Sequence, residues 1–161
     1  MKDQIWWITG ASSGIGAALA RALGARGAKL ILSGRNVAAL EAVAAACATE
    51  TLVLPFEATD YAVLPAIAEQ AWAWHGRVDG LVNNVGLVRP QTLGDIDLDA
   101  FDDVMRLNLH SALQATQALL PGMRTRGWGR VVNISSLTVL GITQRTAYAA
   151  AKAALVSFTR S

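Results

Sequence analysis

The chain has 161 residues, enough for one domain, and 53% of them are hydrophobic, ample material for a core. Charged residues make up only 16%, and the formal net charge of +2 comes from 14 scattered Lys and Arg against 12 Asp and Glu, which gives no basis for nucleic-acid binding. One cysteine, Cys47, excludes an internal disulfide and fits a reducing compartment. No apolar run reaches membrane length and the N-terminus lacks a signal-peptide pattern, so a soluble, cytoplasmic protein is expected. A surface this poor in charge points to burial against a partner, hence a homo-oligomer.

In chain order, Ile5–Thr9 reads as a buried strand and Ile15–Arg26 as a helix with Gly27 just past its end. Lys29–Ser33 is a second strand, followed by a helix over Val37–Ala48 capped by Asn36. Thr51–Pro55 is a third strand, then a helix from about Tyr61 to Trp74 capped by Asp60. Val78–Asn83 is a fourth strand, and after a loop with Pro90 and Gly94 one long helix is expected from Leu98 to Met123. Arg130–Ser135 is a fifth strand, and a last helix starts near Thr146 and runs on to the chain end. Strands alternating with helices predict an α/β fold: a doubly wound, Rossmann-like parallel sheet of order 3-2-1-4-5. A sixth strand would extend that order, and each strand–helix unit takes roughly 30 residues, so roughly 80 to 90 residues of a parent chain are expected to be absent.

Ligands of such sheets bind outside the carboxyl ends of the strands. Thr9-Gly10-Ala11-Ser12-Ser13-Gly14-Ile15-Gly16 sits there, after the first strand and at the mouth of the first helix. Its glycines let the backbone turn sharply and approach a pyrophosphate, and the helix N-terminus offers free N–H groups to phosphate. The spacing is G-x-x-x-G-x-G rather than the commoner G-x-G-x-x-G. The second strand ends at Ser33-Gly34-Arg35, with Gly34 where an acidic residue would hold the ribose 2′-OH of NAD. Arg35 can instead pair with a 2′-phosphate, which favours NADP(H) over NAD(H). Glu57 and Ala58 follow the third strand, where they could border the adenine ring. Asn83 and Asn84 end the fourth strand with amides that can pin it, and Gly86 allows close approach to the cofactor ribose.

Tyr148 and Lys152 lie four apart on the last helix and share a face. A phenol is a poor acid–base at neutral pH, and an adjacent ammonium favours its phenolate. Such a pair could give a proton to a carbonyl oxygen or take one from an alcohol. Ser135 and Ser136 end the fifth strand on the same side and could hydrogen-bond that oxygen. Asn108 stands inside the long helix, a poor place for a side chain that competes for backbone hydrogen bonds.

This order of pieces, Thr9–Gly16, Asn83–Gly86, Asn108, Ser136, Tyr148 and Lys152, resembles the short-chain dehydrogenase/reductase family over essentially the whole chain. The resemblance implies hydride transfer between NADP(H) and a carbonyl or alcohol substrate, without a metal. It implies Tyr148 as general acid/base, Lys152 as the group that binds the nicotinamide ribose and lowers the Tyr148 pKa, Ser136 as the group orienting the substrate carbonyl, and Asn108 as holder of a relay water. Tyr148 and Lys152 thus count among both the catalytic and the cofactor-binding residues. It also implies a homodimer or homotetramer joined through the long helix and the last helix.

Three features depart from the family pattern. Val85 replaces Ala, Glu57 replaces Asp, and the Ser136–Tyr148 stretch is one residue short. Counting from the strand selects Ser136, whereas counting back from Tyr148 selects Ser135. Trp6 and Trp7 are bulkier than usual and have no functional account. Cys47, His75 and His110 read as packing or surface residues, and Asp95, Asp97, Asp99, Asp102 and Asp103 as a cluster favouring a helix N-terminus. The alternative is a non-catalytic dinucleotide-binding or interaction fragment, lacking the C-terminal substrate-binding part. If 161 residues are the whole molecule, little or no turnover is expected.

Overall fold

The two most apolar runs, β1 (Ile5–Thr9) and β2 (Lys29–Ser33), lie side by side in parallel and are buried along almost their whole length. They form the centre of a five-stranded sheet in a computed structural model that describes residues 1–161. β3 (Thr51–Val53) adds to β2, β4 (Gly80–Asn83) to β1, and β5 (Arg130–Asn133) to β4, all parallel. The order is β3-β2-β1-β4-β5, as expected.

Strand side chains alternate between the two faces, so each face has its own core. Trp6, Ile8, Leu30, Leu32 and Val82 pack with α1 (Gly14–Gly24) and α2 (Val37–Ala45). Ile5, Trp7, Ile31 and Leu81 pack with α3 (Leu64–His75) and α5 (Ser111–Thr125). The two strand tryptophans therefore serve opposite faces. Trp7 is fully buried and its indole Nε1 donates to Ser33 Oγ at 2.8 Å, which satisfies its one polar atom. Trp6 lies opposite Gly80 in the ladder, and a Cβ at Gly80 would overlap the Trp6 ring. The same large-against-small fit sets Trp72 of α3 on Gly122 of α5.

Several boundaries differ from expectation for local reasons. Asn36 caps α2 as expected, accepting from the Ala39 N–H at 3.0 Å. Asp60 does not cap α3: its carboxylate accepts from the Ala62 N–H in a preceding turn, and α3 starts at Leu64 with a proline in its first turn, where the missing N–H costs nothing. The long helix is two helices, α4 (Leu98–Met105), capped by Asp97, and α5, joined by a π-helical turn over Arg106–His110. The last helix, α6 (Thr146–Phe158), closes at Phe158 with Thr159 as its C-cap rather than running to Ser161. No helix is long and apolar enough to cross a membrane.

Away from the strands' carboxyl ends, Asp79 is 4% exposed and fully engaged. It accepts from the Ile5 N–H at 2.9 Å, Arg126 Nη2 at 2.8 Å and Arg77 Nε at 3.1 Å. Burial pushes its carboxyl up, but these donors outweigh burial and hold it below its usual value.

Candidate active site

β1 delivers its chain to Gly10 at the edge of a cleft of ≈ 390 Å³. Gly10 and Gly14 adopt φ of 65° and 53°, a left-handed conformation that costs a side-chain-bearing residue energy. A Cβ on Gly16 would collide with the Gly10 carbonyl and come within 2.7 Å of Asn84 Nδ2. These are the requirements of a tight cradle. Ser13 is the N-cap of α1, yet its side chain makes no capping bond, so the first N–H groups of the helix remain available to an anion.

β4 supports the loop from the other side. Asn84 Nδ2 donates to the Thr9 and Gly10 carbonyls at 3.2 and 3.0 Å, while its N–H donates to Thr9 Oγ1 at 3.2 Å. One residue earlier, Asn83 Nδ2 donates to Asn133 Oδ1 at 2.8 Å and Thr116 Oγ1 at 3.2 Å, tying β4 to β5 and α5. Asn133 is thus a supporting residue that the sequence reading missed, although a polar residue inside the apolar run Val131-Val132-Asn133-Ile134 is a usable signal.

The π turn explains Asn108. The residue is 1% exposed, and its amide donates to the carbonyls of Leu87 and Val104, each at 2.8 Å. Its Oδ1 accepts from the Leu87 N–H at 3.2 Å. Asn108 therefore clamps the segment just after Gly86 by both backbone groups of Leu87, from within the π turn. π turns are frequent at functional sites.

The cleft wall includes eleven of the expected residues: Gly10, Ser12, Ser13, Gly14 and Ile15, Arg35 beyond β2, Glu57 and Ala58 beyond β3, Asn84 and Gly86 beyond β4, and Tyr148 on α6. Four strand-end segments and α6 thus converge on one volume. Phe56, Val85, Val88 and Leu107 complete the apolar wall; of these only Val85, within Asn83–Gly86, was marked beforehand. Gly16, Asn108, Ser136 and Lys152 are not on the wall. Gly16 and Asn108 act from behind it.

Lys152 is 2% exposed, its ammonium donating to the Ile134 carbonyl at 2.7 Å. It lies over the Tyr148 ring, 5.6 Å from the centroid. Burial lowers its pKa from 10.5 to about 8. Ser136 Oγ accepts from the Thr138 N–H at 3.2 Å and caps a short 3₁₀ turn, Leu137–Leu140, while Ser135 Oγ donates to the Lys152 carbonyl at 3.4 Å. Arg35, with 77% of its side chain exposed, reaches Glu57 Oε2 at 3.5 Å. His75 joins a surface cluster with Glu50 and Lys29, and no group of His, Cys, Asp and Glu is placed to hold a metal ion.

Comparison with known proteins agrees with this fold. The family model described as short chain dehydrogenase matches residues 4–161. Dehydrogenase/reductase SDR family member 7B of Mus musculus is 36% identical over 166 residues, covering 98% of this chain and 51% of that protein. The 3-oxoacyl-[acyl-carrier-protein] reductase FabG of Escherichia coli is 34% identical over 161 residues, covering 99% of this chain and 66% of that protein. A short-chain dehydrogenase from Streptomyces avermitilis, known from its crystal structure, superposes with a TM-score of 0.93 at 36% identity, covering 99% of this chain and 59% of that one. The chain therefore spans about half to two thirds of the length of these relatives.

Proposed function

This chain belongs to the short-chain dehydrogenase family, and from that premise we propose that it binds NADP(H) and transfers hydride between that cofactor and a small carbonyl or alcohol substrate. The observation that carries the reading is the single cleft joining the glycine loop to Tyr148. The cradle fits a dinucleotide: the positive-φ glycines, the space a Cβ at Gly16 would fill and the open N-terminus of α1 suit a pyrophosphate. Ser12 and Ser13 offer hydroxyls to the same phosphates, Ile15 and Ala58 offer apolar surface, and Gly86 keeps the wall low beside the ribose. Gly34 and Arg35 favour NADP(H) over NAD(H), because a guanidinium meets a 2′-phosphate where a carboxylate would repel it.

The nicotinamide, when bound, gives or takes the hydride at the substrate's carbonyl carbon. Tyr148 protonates the carbonyl oxygen in the reductive direction and takes that proton back in the oxidative one. Lys152 presents a buried cation next to Tyr148 and offers donors to the ribose. Ser136 orients the carbonyl oxygen once its hydroxyl turns from the Thr138 N–H. Asn108 keeps the Leu87 backbone in place and with it the floor beside Gly86. The protein acts in the cytoplasm as a homodimer or homotetramer through α4, α5 and α6, a reading supported by the low charge content and by exposed Leu98 and Leu120.

Titration of the protein with NADPH and with NADH, followed by tryptophan fluorescence, tests this. Saturable binding that favours NADPH is expected. Binding of neither, or a preference for NADH, overturns it.

A further inference from the structure

We infer that Glu57 is a specificity-determining residue that competes with the 2′-phosphate of NADP(H) for Arg35, so that this chain's preference between the two dinucleotides is set by the pair and not by Arg35 alone. The inference rests on the cofactor reading above and concerns only its adenosine end.

Glu57 and Arg35 come from different strand ends and meet on the cleft wall. Arg35 Nη1 lies 3.5 Å from Glu57 Oε2, and this is the ion pair that Arg35 makes. The carboxylate has a second set of contacts that favours this orientation. Its other oxygen, Oε1, accepts from both the N–H and the hydroxyl of Thr59, each at 3.3 Å. Thr59 therefore fixes one oxygen, and the other is left facing the guanidinium.

The consequence is electrostatic. A 2′-phosphate carries close to two negative charges at neutral pH and would bind Arg35 through charge-assisted hydrogen bonds. To do so it must displace, or share the guanidinium with, a carboxylate already held in place. NAD(H) has only a hydroxyl at that position, and its binding does not require Arg35 to change partners. Glu57 thus weakens NADP(H) binding selectively. Both side chains are substantially exposed, at 77% and 40%, so the competing pair has the modest strength of a solvated ion pair and its effect is screened by salt.

The test is a set of dissociation constants for NADPH and NADH, measured by fluorescence at low ionic strength and again in ~0.5 M salt, where the Debye length falls to a few ångströms. The proteins are the wild type, Glu57→Gln, Arg35→Ala and the double variant, each checked by circular dichroism and melting temperature. Glu57→Gln keeps a Thr59 acceptor while removing the charge. It is expected to tighten NADPH about two- to five-fold, the range an exposed ion pair supplies, and to leave NADH within about two-fold. The gain shrinks in high salt and disappears in the Arg35→Ala background.

Equal changes for both dinucleotides would make Glu57 a general support of the adenine end and overturn the inference. A gain that persists in full without Arg35 would show direct repulsion instead of competition and overturn it equally. Failure of the underlying reading has a separate signature. If Arg35→Ala leaves the NADPH-to-NADH ratio unchanged, Arg35 is not the 2′-phosphate partner, and the inference falls with that reading.

Discussion

A charged side chain is buried near each end of the sheet, and the two are treated in opposite ways. Asp79 is 4% exposed and has a backbone N–H and two guanidiniums for partners, so its charged form is favoured. Lys152 is 2% exposed and donates to one neutral carbonyl, so its charged form is disfavoured, with a pKa of about 8. The Asp79 end spends its polar groups on holding β1, the turn before β4 and the end of α5 together. The Lys152 end leaves a cation under-compensated beside the Tyr148 ring, with one carbonyl for a partner. Uncompensated buried charge costs stability, and sites of chemistry are where folds tolerate that cost.

Removing the charge at each end should therefore have opposite signs. The larger effect is expected at Asp79. Glu and Lys pairs on the surface add little, but breaking a buried pair strands the remaining charges and a backbone donor. Asp79→Asn should destabilise the chain by about 3 kcal/mol in urea denaturation; the figure sits at the low end for buried pairs because the two guanidiniums keep some contact with solvent. The pH dependence has a defined sign. The folded-state pKa of Asp79 is lowered, so its contribution is present above the unfolded value of 3.8 and is lost as pH falls through the lower folded value. The variant should show a flatter acid limb. Unchanged stability with an unchanged acid limb would remove one side of the contrast.

Lys152→Met should instead stabilise the chain, by about 1 to 3 kcal/mol at pH 7, while weakening dinucleotide binding. At pH 7 the folded chain bears the full cost of holding the ammonium out of water. Between about 8 and 10.5 the unfolded chain keeps that proton and the folded chain releases it, so wild-type stability rises with pH across this window. The Met variant lacks that rise. In the wild type, whatever part of cofactor affinity depends on the ammonium declines as pH passes about 8. A destabilised Lys152→Met protein would mean that the bond to the Ile134 carbonyl outweighs desolvation, and the two ends would then be alike.

The contrast also marks what could be read in the sequence. The alternation of apolar runs and amphipathic segments predicted the sheet order, because burial on both faces demands runs such as Ile5–Ile8 and Leu30–Leu32. The glycine loop was legible because its requirements are local: three residues without Cβ after a strand. Asn108 stood out as a misfit in a helical pattern, but its clamp on Leu87 was hidden, since the π turn answers a contact 21 residues away in sequence. Asp79 was expected inside the fourth strand, Val78–Asn83, whereas β4 begins at Gly80 and leaves Asp79 just before it. Its partners Ile5 and Arg126 lie 74 and 47 residues off, so its role shows only once the fold closes over it. The tryptophans became intelligible only with Ser33, Gly80 and Gly122 in view.

The smallest effect on stability is expected at the two serines, and it decides a choice the spacing left open. Neither is locked in place. Ser135 Oγ reaches the Lys152 carbonyl at 3.4 Å, near the limit of a hydrogen bond, whereas Ser136 Oγ is the cap of a single 3₁₀ turn. Ser136→Ala should cost about 0.5 to 1 kcal/mol, as the loss of a cap does, and Ser135→Ala less. Their effects on turnover should diverge far more. If Ser136 orients the carbonyl oxygen, its removal lowers kcat about 10²- to 10³-fold with little change in NADPH affinity, since the hydroxyl acts on charge that develops only during the reaction. Ser135→Ala then stays within about two-fold, the hydroxyl having only a weak backbone contact to lose. The reverse pattern, measured on the same small ketone, would move the role to Ser135 and make Ser136 a turn-former. Either way the hydroxyls should separate turnover from stability, which is the opposite of what Asp79 does at the far end of the sheet.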